Sequence, residues 1–335
     1  MLTDPDSLAV PGPHRIALHG YPRLVESFGR AARSGRVGHA YLLAGPPGVG
    51  KCQAARFFAQ AILCGAEPAE RRPCGHCRSC RLAAEDGLAD LRRVDPPLKV
   101  EAVRALQSEL ALAPVEGGRR VALLPEIELA SPSAANSLLK TLEEPPAQAI
   151  LLLTSAQLSA VLPTIRSRCQ VLQMSPIPTE RVAQLLIEAH GLAPDRAELL
   201  GRLSGGRLGW ALAALQDPSL LEARQLWLDG LGALLAEGRV ARFERAEALA
   251  REAAELPVGL AIWMGWWRDL LLLLHGVEAP LINRDRLDGL RRAAGRYGVP
   301  EAMAVLRSIE EALRRLEANT NPRLTLEVLF LELPS

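Results

Sequence analysis

The sequence predicts an α/β domain built on a doubly wound parallel sheet, joined to an all-α remainder. Three observations predict it. The apolar runs of the first half are continuous rather than alternating, the pattern of strands buried on both faces of a parallel sheet. The first run breaks into a glycine loop, Gly45-Pro46-Pro47-Gly48-Val49-Gly50-Lys51, ahead of a helical segment. Beyond Pro178 strand signals nearly vanish and apolar spacings of three and four take over.

A chain of 335 residues suggests about two domains, or about three if some are small. Its 49% apolar and 23% charged residues supply a sizeable core and exclude global disorder. Thirty-nine basic against 38 acidic residues leave a net charge of +1, which excludes bulk electrostatic attraction to nucleic acid or an anionic membrane. A DNA-contacting role would need a local patch. No apolar run approaches the ~20 residues that cross a bilayer, and the N-terminus MLTDPDSLAVPGPH lacks a basic region followed by an apolar one. The expectation is a cytoplasmic protein without membrane contact.

Taken in order, residues 24–32 form an amphipathic segment, and Ala40-Tyr41-Leu42-Leu43-Ala44 is the strand that enters the glycine loop. Further strands are expected at Val121-Ala122-Leu123-Leu124, at Ala149-Ile150-Leu151-Leu152-Leu153 and at Val171-Leu172. Ser131-Pro132 is an N-cap followed by proline at the first helical position, and Pro145-Pro146 stops the helix it opens. Ser175-Pro176-Ile177-Pro178 reads as a linker. After it, Val299-Pro300 and Asn321-Pro322 start helices, and Met303, Leu306, Ile309, Leu313 and Leu316 form the stripe of a helix packed on one face. All five tryptophans, Trp210, Trp227, Trp263, Trp266 and Trp267, fall in this second half and read as helix-packing bulk.

Gly45 to Cys52 matches the phosphate-loop pattern G-x-x-x-x-G-K-[ST] except at its last position. In such a loop the backbone N–H groups cradle phosphates, the lysine reaches their outer oxygens and the hydroxyl ligates Mg²⁺. Gly45, Gly48, Gly50 and Lys51 are therefore the candidate nucleotide-binding residues. A thiol at Cys52 is a soft, poor ligand for a hard cation. An aspartate at the end of a later strand would hold the metal, but the expected place after Leu124 carries Pro125, with Glu126 next. Two losses on the metal side point to a nucleotide fold that no longer hydrolyses nucleotide, with ATP or ADP binding left open.

Cys64, Cys74, Cys77 and Cys80 make C-x9-C-x2-C-x2-C, a spacing suited to a closed, tetrahedral structural zinc site in residues 64–80. Cys74 and Cys77 alone would also fit a redox pair, but two more cysteines at ligand spacing argue against it. His76 reads as a spare within the knuckle.

Together with Gly38-His39-Ala40-Tyr41-Leu42, the run Ala134-Ala135-Asn136-Ser137-Leu138-Leu139-Lys140-Thr141-Leu142-Glu143-Glu144-Pro145-Pro146 and Leu162-Pro163-Thr164-Ile165-Arg166-Ser167-Arg168-Cys169, these features resemble the delta-prime subunits of bacterial DNA polymerase III clamp loaders, AAA+ relatives of the gamma/tau ATPase subunits. The match runs through most of the first 175 residues; the helical half matches loosely, in length and at Asn319-Thr320-Asn321. The resemblance implies an AAA+ domain over residues 1–176, a small helical lid over 177–215 and a helical collar domain over 216–335. It also implies gamma/tau and delta subunits as partners, with the sliding clamp and primed DNA reached through the complex. Arg168 would be an arginine finger for ATP held by the neighbouring subunit, since an always-charged planar guanidinium can stabilise γ-phosphate charge in trans. Thr154 matches the sensor-1 position, and Gly209 stands where the ATPase subunits carry a sensor-2 arginine, with Arg207 two residues off register.

Two rivals remain. One is an active gamma/tau-like ATPase that uses Lys51. The other is a zinc-dependent nucleic-acid-binding module in which Arg71, Arg72, Arg78 and Arg81 grip phosphates.

Overall fold

The computed structural model describes residues 13–67, 69–116 and 118–334, so the leader-free reading of the first twelve residues lies outside the described residues. The chain divides into two compact units: the first runs to Ile177 and takes in Arg207–Trp210, and the second comprises Pro178–Gly206 and Ala211 onward.

In the first unit, in chain order, stand α1 (Pro22–Ser34), β1 (Ala40–Ala44), α2 (Lys51–Leu63), α3 (Arg78–Ala84), β2 (Leu91–Arg93), α4 (Val100–Leu110), β3 (Arg120–Leu124), α5 (Pro132–Glu143), β4 (Ala149–Ser155), α6 (Pro163–Arg166) and β5 (Gln170–Gln173). The sheet has the order β2-β3-β4-β1-β5 with every pairing parallel. Successive side chains of a strand face opposite layers. Ala40 and Leu42 of β1 pack into one core with α4 and α5, while Tyr41 and Leu43 pack into the other with α1 and α2. The central strands β1 and β4 are buried at every residue, which is why they are apolar throughout.

Ser131 caps α5 as its sequence indicates, its hydroxyl accepting from the Ala134 amide at 3.2 Å. Two strands depart from expectation. β2, Leu91-Arg92-Arg93, carries no apolar run because it lies at the sheet edge and is partly exposed. β5 pairs as expected, but it is the opposite edge and its Val171 is 40% exposed, so it is not buried on both faces.

The second unit is helical among its described residues: α7 (Thr179–His190), α8 (Pro194–Leu203), α9 (Leu208–Gln216, opening in the stretch grouped with the first unit), α10 (Ser219–Ala236), α11 (Arg239–Ala250), α12 (Leu256–Leu274), α13 (Leu287–Ala294), α14 (Val299–Glu317) and α15 (Pro322–Glu332). Trp263 and Trp267 of α12 are the largest fully buried side chains and sit in one core with Leu260, Leu290, Ile309 and Phe330. Trp210 is the exception among the tryptophans: it belongs to the first unit, with its backbone against Gly48. On α14 the fully buried positions are Ala302, Val305, Ile309 and Ala312; of the expected stripe Ile309 is buried, Leu306, Leu313 and Leu316 pack half-buried against the same core, and Met303 is exposed.

The stretch Ala253–Leu274 is long and apolar enough to cross a membrane, which corrects the expectation that no run approaches that length. Leu256, Leu260, Trp263, Trp267 and Leu270 of this stretch are buried in the helical core, Val258 is exposed, and the stretch carries Arg268 and a fully buried Asp269. That carboxylate accepts from the Ile282 amide at 2.9 Å and the Asn283 amide at 2.6 Å, tying α12 to the segment that leads into α13.

Candidate functional site

β1 delivers the chain into the glycine loop, and α2 starts at Lys51. Gly48 and Gly50 have φ of +77° and +104°, left-handed backbone that a side chain strains. A Cβ on Gly45 would lie 2.2 Å from the Met174 carbonyl oxygen, so the strand can turn into the loop there only as glycine.

Several polar groups of the loop are tied to the protein itself. The Lys51 ammonium donates to the Gly45 carbonyl at 2.6 Å and the Pro46 carbonyl at 3.0 Å. Burial pushes its pKa below the ordinary lysine value, against the opposing pull of Cys52, Glu128 and Glu126. The Gly209 amide donates to the Gly48 carbonyl at 2.8 Å, and a Cβ on Gly209 would come as near to that oxygen. The absence of an arginine at this position is therefore also a close backbone approach. The Tyr21 hydroxyl bridges the Val49 carbonyl at 3.1 Å and the Ser175 carbonyl at 2.8 Å, joining the loop to the chain after β5. Burial raises this phenol to about 12. Tyr21→Phe removes a single oxygen and is expected to cost about 1 kcal/mol in urea unfolding of the first unit. No change would mean that the bridge carries no energy.

Thr154 is fully buried at the end of β4, and the register Leu43↔Thr154 sets it beside the loop. Its hydroxyl accepts from the Glu126 amide at 3.2 Å and lies 3.9 Å from the Cys52 sulfur. Glu126 is exposed, and its φ of +49° turns the chain away after Pro125. Sequence reasoning missed Glu128, which accepts from the Ala156 amide at 2.6 Å and whose second oxygen is buried with no hydrogen-bond partner among the described residues. It lies two residues beyond the weighed Glu126, in a short 3₁₀ turn that no apolar pattern announces.

Arg168 follows α6 and precedes β5. Its guanidinium pairs with Glu143 at the end of α5 at 2.6 Å and donates to the Thr164 carbonyl at 3.0 Å. Among the described residues its polar contacts are to these elements and to Ser167, not to the glycine loop. The neighbouring Arg166 has a buried Nε without a hydrogen-bond partner among the described residues.

The four cysteines converge from the end of α2, the segment after it and the start of α3, with all sulfurs within 4.8 Å of one another. Cys64 to Cys77 is 3.8 Å and Cys74 to Cys80 is 3.9 Å. Zinc–sulfur bonds of ~2.3 Å in a tetrahedron need sulfurs about 3.8 Å apart, so the donor set fits a metal such as zinc. The amides of Cys74, Cys77 and Cys80 point at cysteine sulfurs at 3.5, 3.3 and 3.4 Å, the donors that thiolates need. The adjoining Cys80 thiol pulls Cys64 down to about 5, while Cys80 itself is pushed up. His76 is exposed and outside the cluster. Of the surrounding arginines, Arg72 pairs with Glu67 and Arg78 with Glu116.

Comparison with known proteins gives a consistent set. Residues 20–178 match the family described as "DNA polymerase III, delta subunit", and residues 218–334 match "DNA polymerase III, delta subunit, C terminal". The chain is 34% identical over 307 residues to the DNA polymerase III subunit delta' of Pseudomonas aeruginosa, covering 88% of this chain and 91% of that protein. To the delta' subunit of Bacillus subtilis it is 28% identical, covering 93% and 95%. A gamma/tau subunit of Mycobacterium tuberculosis is 30% identical over 333 residues, which is 89% of this chain and 57% of that protein.

Proposed function

The chain belongs to the delta-prime family of DNA polymerase III subunits, and on that premise we propose that it is a clamp-loader subunit that hydrolyses no nucleotide itself and lends Arg168 to ATP held by a neighbouring gamma/tau subunit. One observation carries the reading. The lysine with which a phosphate loop would reach a nucleotide is turned back on its own loop, its ammonium donating to the Gly45 and Pro46 carbonyls.

The chemistry around the loop agrees. Catalysis of phosphoryl transfer rests on a metal, a lysine and a positioned water. Cys52 supplies a thiol where a hydroxyl would ligate the cation, and Pro125 supplies nothing where a carboxylate would. Gly45, Gly48, Gly50, Lys51 and Thr154 then act as scaffold, holding the ends of β1 and β4 together. Arg168 retains unused donors on a side chain that is one-third exposed, as a residue offered to another subunit requires.

In this reading the cysteine module of residues 64–80 holds one structural zinc ion with no open position for catalysis. Residues 1–176 act as the AAA+ domain, 177–215 as the lid and 216–335 as the collar that joins gamma/tau and delta subunits. The assembled complex, in the cytoplasm, opens the sliding clamp and sets it on primed DNA. The pairing of Arg72 and Arg78 with carboxylates favours a neutralised rim over a phosphate grip.

The test is ATP turnover by the purified chain alone, with Lys51→Ala as the control. We expect no turnover that depends on Lys51. Turnover abolished by the substitution would show that Cys52 and Pro125 are tolerated, and the gamma/tau-like motor would replace the present reading.

A further inference from the structure

An arginine offered to another subunit has four side-chain torsions to fix, and the structure shows what fixes them here. We propose that Glu143 is the positioning residue for Arg168: it orients the guanidinium before the neighbour's nucleotide arrives. This inference rests on the reading of Arg168 given above.

The two side chains meet at 2.6 Å between Glu143 Oε1 and Arg168 Nη2, and the Thr164 carbonyl holds Nη1 at 3.0 Å. These supports come from separate elements, the end of α5 and the short α6. Both are anchored from below, α5 by the buried Ala134, Leu138 and Leu142 and by its Ser131 cap, α6 by the buried Ile165. A guanidinium gripped at two nitrogens by two packed elements has lost most of its rotamers. It has not lost its function as a donor. Of its five N–H groups the two close contacts take two, and a longer approach to Ser167 Oγ at 3.4 Å takes a third, so that Nε–H and a second Nη2–H remain.

Stability does not account for the pair. Its side chains are 34% and 51% exposed, and ion pairs so exposed contribute little to folding. Glu143 also ends α5, where the negative end of the helix dipole disfavours a carboxylate. A carboxylate set against the helix dipole and aimed at one arginine suits orientation, because a finger acts only when its donors already point to where charge develops.

The experiment uses the reconstituted clamp-loader complex containing this chain and follows DNA-stimulated ATPase with Arg168→Ala, Glu143→Gln and the double variant. Arg168→Ala is expected to lower kcat about tenfold or more. Glu143→Gln should lower it about fivefold with KM for ATP unchanged, since the loss falls on the transition state. The double variant should be no slower than Arg168→Ala alone. Complex assembly by size exclusion and the melting temperature of the Glu143→Gln chain should match wild type. Full activity in Glu143→Gln, or a double variant slower than Arg168→Ala by the same factor, would overturn the positioning role and leave the trans reading standing. Full activity in Arg168→Ala would overturn both.

Discussion

Cys80→Ser, or prolonged chelation of the wild-type chain, is expected to release residues 64–84 from the first unit and to cost about 3 kcal/mol or more. Cys80 is fully buried and Cys64 nearly so, hence the loss cannot be absorbed by solvent. The Cys77 sulfur caps α3 by accepting from the Cys80 amide, so the helix depends on the cluster for its start. The damage should also spread. Gln60, buried on α2, donates to the carbonyls of Cys80 at 2.9 Å and His14 at 2.7 Å and accepts from the Ile16 amide at 2.9 Å. Freeing α3 therefore loosens residues 14–16 through one side chain. Hydrogen exchange should show lost protection in residues 64–84 and 14–16 together, with elemental analysis of the untreated protein giving one zinc per chain. Protein purified without chelators that contains no metal, or a Cys80→Ser variant that melts like wild type, would contradict the structural-metal reading.

Trp263→Ala is expected to cost about 4 kcal/mol in the second unit. The ring is 1% exposed at the centre of the helical core, 5.4 Å from the Trp227 ring and 5.9 Å from the Phe330 ring, so its removal leaves a cavity between α10, α12 and α15. Its Nε1 donates to the Trp227 carbonyl at 2.7 Å, a bond between α12 and α10 that the substitution also removes. Space nearby is already tight: a Cβ on Gly259 would lie 2.2 Å from the Trp227 ring, so α10 and α12 have little room to close the gap by a new packing. Two-probe urea unfolding should show the helical transition moved to low denaturant while the α/β transition stays. A shift below about 1 kcal/mol would mean that the core collapses around the lost ring. If residues 216–335 form the collar, the same variant should fail to enter the complex while Arg168 remains intact in its own unit.

The elements legible in the sequence are those whose signal is local. β1, β3 and β4 announce themselves because a parallel strand covered on both faces has no polar side to show. The glycine loop, the Ser131 cap and the cysteine spacing are equally local, since each is a requirement of neighbouring residues on one another. β2 is silent for the converse reason: as an edge strand reading Leu91-Arg92-Arg93 it meets no such demand.

Sequence alone thus determined the fold class, the glycine loop that lacks its usual metal-side partners, the four cysteines and the family likeness. Tertiary structure alone decided what those groups do to one another. That Lys51 faces its own loop, that Gly209 seals Gly48, that Tyr21 spans Val49 and Ser175, that Glu128 holds Ala156 and that Glu143 grips Arg168 are contacts across 5 to 161 residues of chain. Side chains and amides of this kind carry no periodicity and no spacing rule. Their partners are set by the order in which the strands assemble, β1 between β4 and β5, which brings the ends of distant segments to one edge of the sheet.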